Sequence, residues 1–176
     1  MVMYRHGIPL RPAEEIGYHL GLIVKPDQSR LFSNVRTAME PPSSAGYGIQ
    51  IHLPEYEPNV AFKHMGIPLS FSVEPIKDFS SAEELMTRLT EHEQSDHDVL
   101  VALNLGALID EPDLDYAHHA CVFDRIVDGQ VRLIDPSFYA PKWRVFTVER
   151  LFAAMQKHVS SDWGGIWLLA KTDAPN

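Results

Sequence analysis

The chain has 176 residues, of which 45% are apolar, which suffices for one domain with a core and argues against disorder. Its 15 lysines and arginines face 24 aspartates and glutamates, a net charge of −9. Nucleic acids and anionic membranes require a basic face, so we expect neither as a partner. No apolar run reaches the roughly 18 residues of a membrane span. The single cysteine, Cys121, favours a reducing compartment, and we expect a cytoplasmic protein.

The first third of the chain predicts helices and loops. Its elements are a helix fragment over 1–6 that Gly7 and Pro9 stop, a short helix over 12–20, a loop region over 26–50 with a short helix near 28–33, and a helix over 55–65. In the last of these, helical spacing of apolar residues predicts a buried stripe of Tyr56, Val60, Phe62 and Met65.

The remainder predicts strands and helices in alternation. They are a strand over 68–73, a helix opened by a capping box at 80–83 and running to about Glu93, a strand over 99–105, an acidic loop over 110–115, a hairpin over 118–135, a helix capped by Thr147 and a last strand over 166–170. Early helices followed by an antiparallel sheet with interspersed helices indicate the α+β class.

The hairpin carries the most informative pattern. A two-residue Asp-Gly turn at 128–129 joins two predicted strands. His119 lies on the first strand and Asp135 at the end of the second. In a cysteine peptidase, a histidine faces the nucleophile and its far ring nitrogen requires an oriented acceptor. This spacing therefore makes His119 and Asp135 candidate catalytic residues.

The same spacing leaves an alternative open. His119 and Asp135 are offset along the ladder, so contact requires either a twist of the hairpin or projection of Asp135 past the strand end. Pro136 ends the strand at that point. A surface histidine beside an aspartate that starts a turn before proline explains the residues equally well.

From Leu114 to Lys171 the chain resembles the C-terminal half of the double-glycine-leader peptidases, papain-like domains attached to bacteriocin exporters, and their free-standing relatives. That pattern has a Gly-His, a hydrophobic strand, a turn, a strand ending in Asp-Pro, an aromatic segment, a helix, a Gly-Gly pair and a terminal strand. The matching residues are His119, Val122, Asp135, Pro136, Trp143, the 147–158 helix, Gly164, Gly165 and Trp167. The resemblance implies a bacterial cysteine peptidase-like domain in which His119 and Asp135 are catalytic. His118 stands where that family usually has glycine.

The first eight residues, Met-Val-Met-Tyr-Arg-His-Gly-Ile, resemble the end of that family's nucleophile helix, which begins Cys-Gly-Pro-Ala. The resemblance places the cysteine about two helical turns upstream of Met1, and the oxyanion glutamine further back. We therefore expect a single papain-like domain over 1–176, truncated at its N-terminus, with helices packed on an antiparallel sheet. Truncation would expose apolar surface, which predicts a homo-oligomer.

No other residue is a strong candidate for the nucleophile. Cys121 follows His119 by two residues, so both side chains point to one side of the strand. Such neighbours sit side by side, whereas a nucleophile approaches an imidazole from across a cleft. We interpret Cys121 as a small apolar core residue. No serine precedes Ser29, which excludes a substituted nucleophile on the first helix.

The nine histidines suggest a metal site, but their spacing does not support one. His92 and His97 are five residues apart, whereas the zinc-protease helix motif requires four. His118 and His119 point to opposite faces of a strand. The acidic run 110–115 lacks the glycine and terminal glutamate of a calcium loop. We expect neither a metal nor a cofactor.

Two hypotheses of different classes remain. In the first, the chain belongs to a cysteine peptidase, with His119 as base and acid and Asp135 as its orienting acceptor, and is inactive as it stands because it holds no nucleophile. In the second, it is a non-catalytic relative that binds a peptide or protein. An in-frame Cys-Gly-Pro-like segment upstream of the first codon would favour the first, and an immediate stop codon the second.

Overall fold

The structure, a computed structural model, describes residues 2–32, 34–42, 46–95, 97–114, 118–136, 143–160 and 162–172. Two compact units make up the chain: Met1–Ser70 with Lys171–Asn176, and Phe71–Ala170. The single domain over 1–176 stays a prediction. Within the described ranges, no helix is long and apolar enough to cross a bilayer.

The first unit is mainly helical. It contains α1 (Val2–Arg5), α2 (Ala13–His19), α3 (Pro58–Met65), 3₁₀ helices at Pro26–Leu31 and Pro54–Tyr56, and the short parallel strands β1 (Ile23–Val24) and β2 (Arg36–Thr37). The sequence assigned no element to β1, and β2 lies within the predicted loop region. The predicted stripe on α3 is confirmed in part, because Phe62 and Met65 are buried whereas Tyr56 and Val60 are partly exposed.

The second unit is built on a six-stranded sheet. Its elements are β3 (Leu69–Pro75), α4 (Ala82–Glu93), β4 (Asp98–Asn104), α5 (Leu105–Ile109), β5 (His118–Val127), β6 (Gln130–Ile134), β7 (Trp143–Phe146), α6 (Val148–Gln156) and β8 (Gly165–Lys171), with 3₁₀ turns at Ile76–Asp78 and Pro112–Leu114. The strands are ordered β3-β8-β4-β5-β6-β7 in an antiparallel sheet. The predicted α+β class is confirmed.

Local signals explain where the helices of this unit begin. The Ser81 side chain accepts from the Glu84 backbone N–H at 3.2 Å, and the Glu84 carboxylate accepts from the Ser80 backbone N–H at 2.7 Å. The N-cap is therefore Ser81, one residue later than the predicted capping box, and Glu84 reaches back to the residue before it. Thr147 caps α6 by accepting from the Arg150 N–H at 3.3 Å, as predicted.

Apolar side chains from the sheet and from α4, α5 and α6 form one core cluster. From the helices they include Leu85, Leu89, Leu108, Leu151 and Met155, and from the strands Val101, Leu103, Cys121, Phe123, Val131 and Leu133. Burial of this apolar surface is the main stabilising contribution to the unit. It fixes which face of each strand points inward, and therefore which side chains line the site below.

The β5–β6 hairpin contains a bulge that decides the direction of its polar side chains. The predicted turn is confirmed, with positive φ at Asp128 (50°) and Gly129 (74°). Next to the turn, Ile126 pairs with the buried Val131, but beyond a register shift Phe123 pairs with Leu133. Asp124 is the extra residue at this shift. A regular ladder would put Cys121 and Phe123 on the outer face, and the bulge brings these odd-numbered residues before Asp124 to the core face.

Candidate active site

His119 and Asp135 contact each other directly. Strand β6 ends at Ile134, so Asp135 lies one residue past the strand end. This is one of the two arrangements expected from the sequence to allow contact. Val122 pairs with Ile134, and continuing this register places Asp135 opposite Cys121, with His119 two residues along the same face. The Nε2 atom of His119 lies 2.8 Å from Oδ1 of Asp135, which is hydrogen-bond distance.

The two side chains differ in exposure. The Asp135 side chain is 1% exposed, whereas that of His119 is 20% exposed. An ionised carboxylate can only accept hydrogen bonds, so a neutral His119 ring facing one would carry its proton on Nε2 and leave Nδ1 with a lone pair. Among the described residues, Nδ1 of His119 has no hydrogen-bond partner. The buried acid therefore contacts one side of the ring, and Nδ1 lies on the other side.

Arg144 is a third member of this site that the sequence did not reveal. It lies on β7 and pairs with Leu133 of β6, two residues before Asp135 and on the same face. Its Nε atom is 3.9 Å from Oδ2 of Asp135, and its side chain is 20% exposed. In the structure Trp143 and Val145 are exposed, so the alternation of the strand points Arg144 to the opposite face.

Cys121 is a core residue of the second unit. It is 1% exposed, and its Sγ atom lies within 4.8 Å of one donor atom of His119 and one of Asp135. Burial raises the pKa of the Cys121 thiol to about 12, the Asp135 carboxylate adds to the rise, and the Arg144 guanidinium opposes it. The thiol is therefore protonated at neutral pH, which makes it a poor nucleophile.

The three residues also form the one group of potential metal donors within the described ranges. A divalent ion would have to displace the hydrogen bond between His119 and Asp135 and remove the proton from the Cys121 thiol. It would also sit close to the Arg144 guanidinium. We therefore interpret the group as a hydrogen-bonded and charged array. The absence of a metal site stays a prediction.

His92 takes part in a polar network between α4 and β3. His92 is 5% exposed, and its Nε2 atom lies 3.1 Å from a carboxylate oxygen of Glu74. Arg88 donates to the same carboxylate. This polar network ties α4 to β3, so it stabilises the packing of the second unit.

His118 points to the sheet face opposite His119. Its ring centroid lies 4.9 Å from that of His158, which follows α6. Burial lowers the pKa of His118, and His158 lowers it further. Burial also lowers the pKa of His158, whose contact with the Ser160 backbone opposes the change. Both rings therefore favour the neutral form.

A comparison of the sequence with models of known protein families finds no match, and a comparison with curated proteins finds no similar chain.

Proposed function

We propose that this chain carries the histidine–aspartate half of a papain-like cysteine peptidase site and, as it stands, does not itself hydrolyse peptides. The 2.8 Å contact of His119 Nε2 with the buried Asp135 carries this proposal. It leaves Nδ1 as the nitrogen that can take a proton from a thiol. The α+β fold, with an antiparallel sheet, a hairpin and flanking helices, is compatible with the papain-like architecture that the resemblance implies.

In the proposed reaction, a thiol outside this sequence loses its proton to Nδ1 of His119. The thiolate forms a bond to the peptide carbonyl carbon, and the carbon–nitrogen bond then breaks. The amine leaves with the proton from the imidazolium, and water hydrolyses the thioester to restore the thiol. Asp135 fixes the ring and stabilises the imidazolium.

The test compares this chain with one extended by the in-frame codons upstream of Met1. A peptide ending in a thiol-directed electrophile should label the extended chain at a cysteine near its N-terminus. Labelling should be lost in His119→Ala, because this change removes the base. It should be slowed in Asp135→Asn, because this change removes the acceptor that orients the base. Mass spectrometry of the labelled peptides locates the modified residue.

The matched control is His118→Ala, which removes the neighbouring histidine from the opposite strand face. This variant should label at the rate of the parent chain. An immediate upstream stop codon, or labelling that does not depend on His119, would contradict the peptidase proposal. Stoichiometric labelling of Cys121 that is lost in His119→Ala would contradict our interpretation of that thiol.

A non-catalytic peptide- or protein-binding role is the second candidate. The buried thiol with a pKa of about 12 favours it, because the one cysteine of the sequence is unsuited to catalysis. Titration of this chain with a Gly-Gly-containing peptide should then shift the His119 ring signals in NMR spectra while the peptide stays intact by mass spectrometry. Cleavage would exclude this role, and unchanged spectra would leave it without support.

The partners and location are part of the same proposal. A net charge of −9 disfavours nucleic acid and anionic membranes, and a single cysteine supports a cytoplasmic location. Tyr4 and Leu10 of the first unit are 79% and 68% exposed, which supports self-association through apolar surface. Light scattering at rising concentration should detect a dimer or larger species, and a monomer throughout would contradict this part.

A further inference from the structure

We propose that Arg144 is a positioning residue, whose guanidinium turns the Asp135 carboxylate so that the other oxygen accepts from His119 and holds that ring in its Nε2–H tautomer. The carboxylate lies between two groups on different strands: Oδ1 is 2.8 Å from His119 Nε2, and Oδ2 is 3.9 Å from Arg144 Nε. The role of this array in catalysis rests on the proposed function, whereas the tautomer does not.

The surroundings of Arg144 support a dedicated contact. Its Nε atom is buried and has no hydrogen-bond partner in the described part of the chain. In that same part, Asp135 is the one acid within 4 Å of the guanidinium. Arg132 and Arg125 instead contact Asp124. A buried donor is costly unless a partner offsets its lost hydration, and the nearest acceptor of opposite charge is Asp135.

The consequence for His119 follows from hydrogen-bond chemistry. A neighbouring cation favours the ionised form of a carboxylate, and an ionised carboxylate has no proton to donate. The imidazole facing it must then donate, which places the proton on Nε2. A carboxylate that gained a proton or turned away would permit the other tautomer. In that tautomer Nδ1 carries the proton and has no lone pair to accept another.

The test is NMR of the full chain with ¹⁵N-labelled histidine, above the pH range in which histidine titrates. Ring ¹⁵N shifts distinguish the two neutral tautomers, and the signals that vanish in His119→Gln assign the residue. The parent chain should show His119 as the Nε2–H form alone. Arg144→Gln should move both ring nitrogens toward the average of the two forms, and Arg144→Lys should restore most of the original shifts.

Arg132→Gln is the control, since it removes an arginine from the neighbouring strand that contacts Asp124 instead. Unchanged His119 shifts in Arg144→Gln, or an equal change in Arg132→Gln, would overturn the proposal.

A second measurement needs no substitution of Arg144. The Arg144 Nε–H should exchange with solvent at least tenfold more slowly than that of Arg125, whose side chain is 57% exposed, and Asp135→Asn should weaken this protection to what burial alone provides. Equal exchange rates in the parent chain would overturn the proposal. Neither measurement depends on peptide hydrolysis, so failure of the peptidase proposal remains distinguishable.

Discussion

Two histidines that are neighbours in the sequence meet opposite environments on the two faces of β5. His119 faces a buried carboxylate, which fixes a ring with one basic nitrogen available. His118 faces a second histidine, and burial together with that ring lowers its pKa. The contacting side chain, and not the residue type or its place in the chain, therefore distinguishes the environments of the two histidines.

The largest effect should come from removing the carboxylate that distinguishes the two faces. Asp135→Ala leaves the charged Arg144 without its acid in a buried site, and we expect a loss of about 3 kcal/mol in the free energy of unfolding. His158→Ala, which removes the partner of His118, should cost about 1 kcal/mol. Urea denaturation measures both. Equal losses would show that the two faces are energetically alike.

A smaller loss in the free energy of unfolding should follow from a substitution in the turn of the hairpin, which lies on neither histidine's side. Gly129 has φ of 74°, which a residue with a Cβ adopts only with strain. Gly129→Ala should therefore cost about 1 kcal/mol in urea denaturation. The His118 and His119 ring signals should keep their shifts, because the pairing of the strands is retained. A change confined to one histidine would contradict this view of the turn.

The His118–His158 pair should make the free energy of unfolding depend on pH. Burial lowers both pKa values below the ordinary 6.5, so the unfolded chain binds these protons more readily. Stability from the pair is fully present above 6.5 and is lost as pH falls through the lowered values. His118→Asn should reduce the loss of stability between neutral pH and about pH 5, measured by urea denaturation.

Substitution of the exposed His52 by asparagine is the control for that experiment, and it should leave the pH dependence of the parent chain unchanged. If His118→Asn loses as much stability at acidic pH as the parent chain, the neutral pair does not exist in solution.

The smallest effect should be on the thiol beside Asp135. Because the carboxylate adds to the raised pKa of Cys121, Asp135→Asn should lower that pKa, while burial still keeps it above the ordinary range. His118→Asn, on the other face, should not change it. The ultraviolet absorbance of the thiolate measures the titration. A rise in the pKa upon Asp135→Asn would contradict the charge assignment of the site.

Much of the fold was predictable where local signals are strong. The Asp128-Gly129 turn fixed the hairpin, and Thr147 fixed the start of α6. Strand β7 was missed because its four residues are too few for a clear alternation. Helix α5 was missed because its apolar residues continue the run of β4. The Asn104 side chain accepts from the Ala107 N–H, so an N-cap asparagine was the overlooked signal.

The candidate site was predictable only in part. His119 and Asp135 were named from spacing and resemblance, and they are in contact. Arg144 was not named, because pairing between β6 and β7 cannot be deduced without first recognising β7. The His118–His158 contact was equally inaccessible, since it joins the start of a strand to the residue beyond a helix end far along the chain. Contacts between elements distant in sequence depend on topology that local patterns do not encode.

Because of the bulge at Asp124, the number of residues between two positions of the hairpin shows whether their side chains lie on the same face. His119 and Asp135 are 16 residues apart. Across a two-residue turn with regular pairing, two residues share a face only when their separation is odd. An even separation between two residues that must meet therefore signals one bulge. Deletion of Asp124 alone would give an odd separation and a regular ladder, so His119 and Asp135 would stay on one face and keep their contact. Deletion of two residues at this point would again give an even separation, now without a bulge. One of the two side chains would then point to the opposite face of the hairpin.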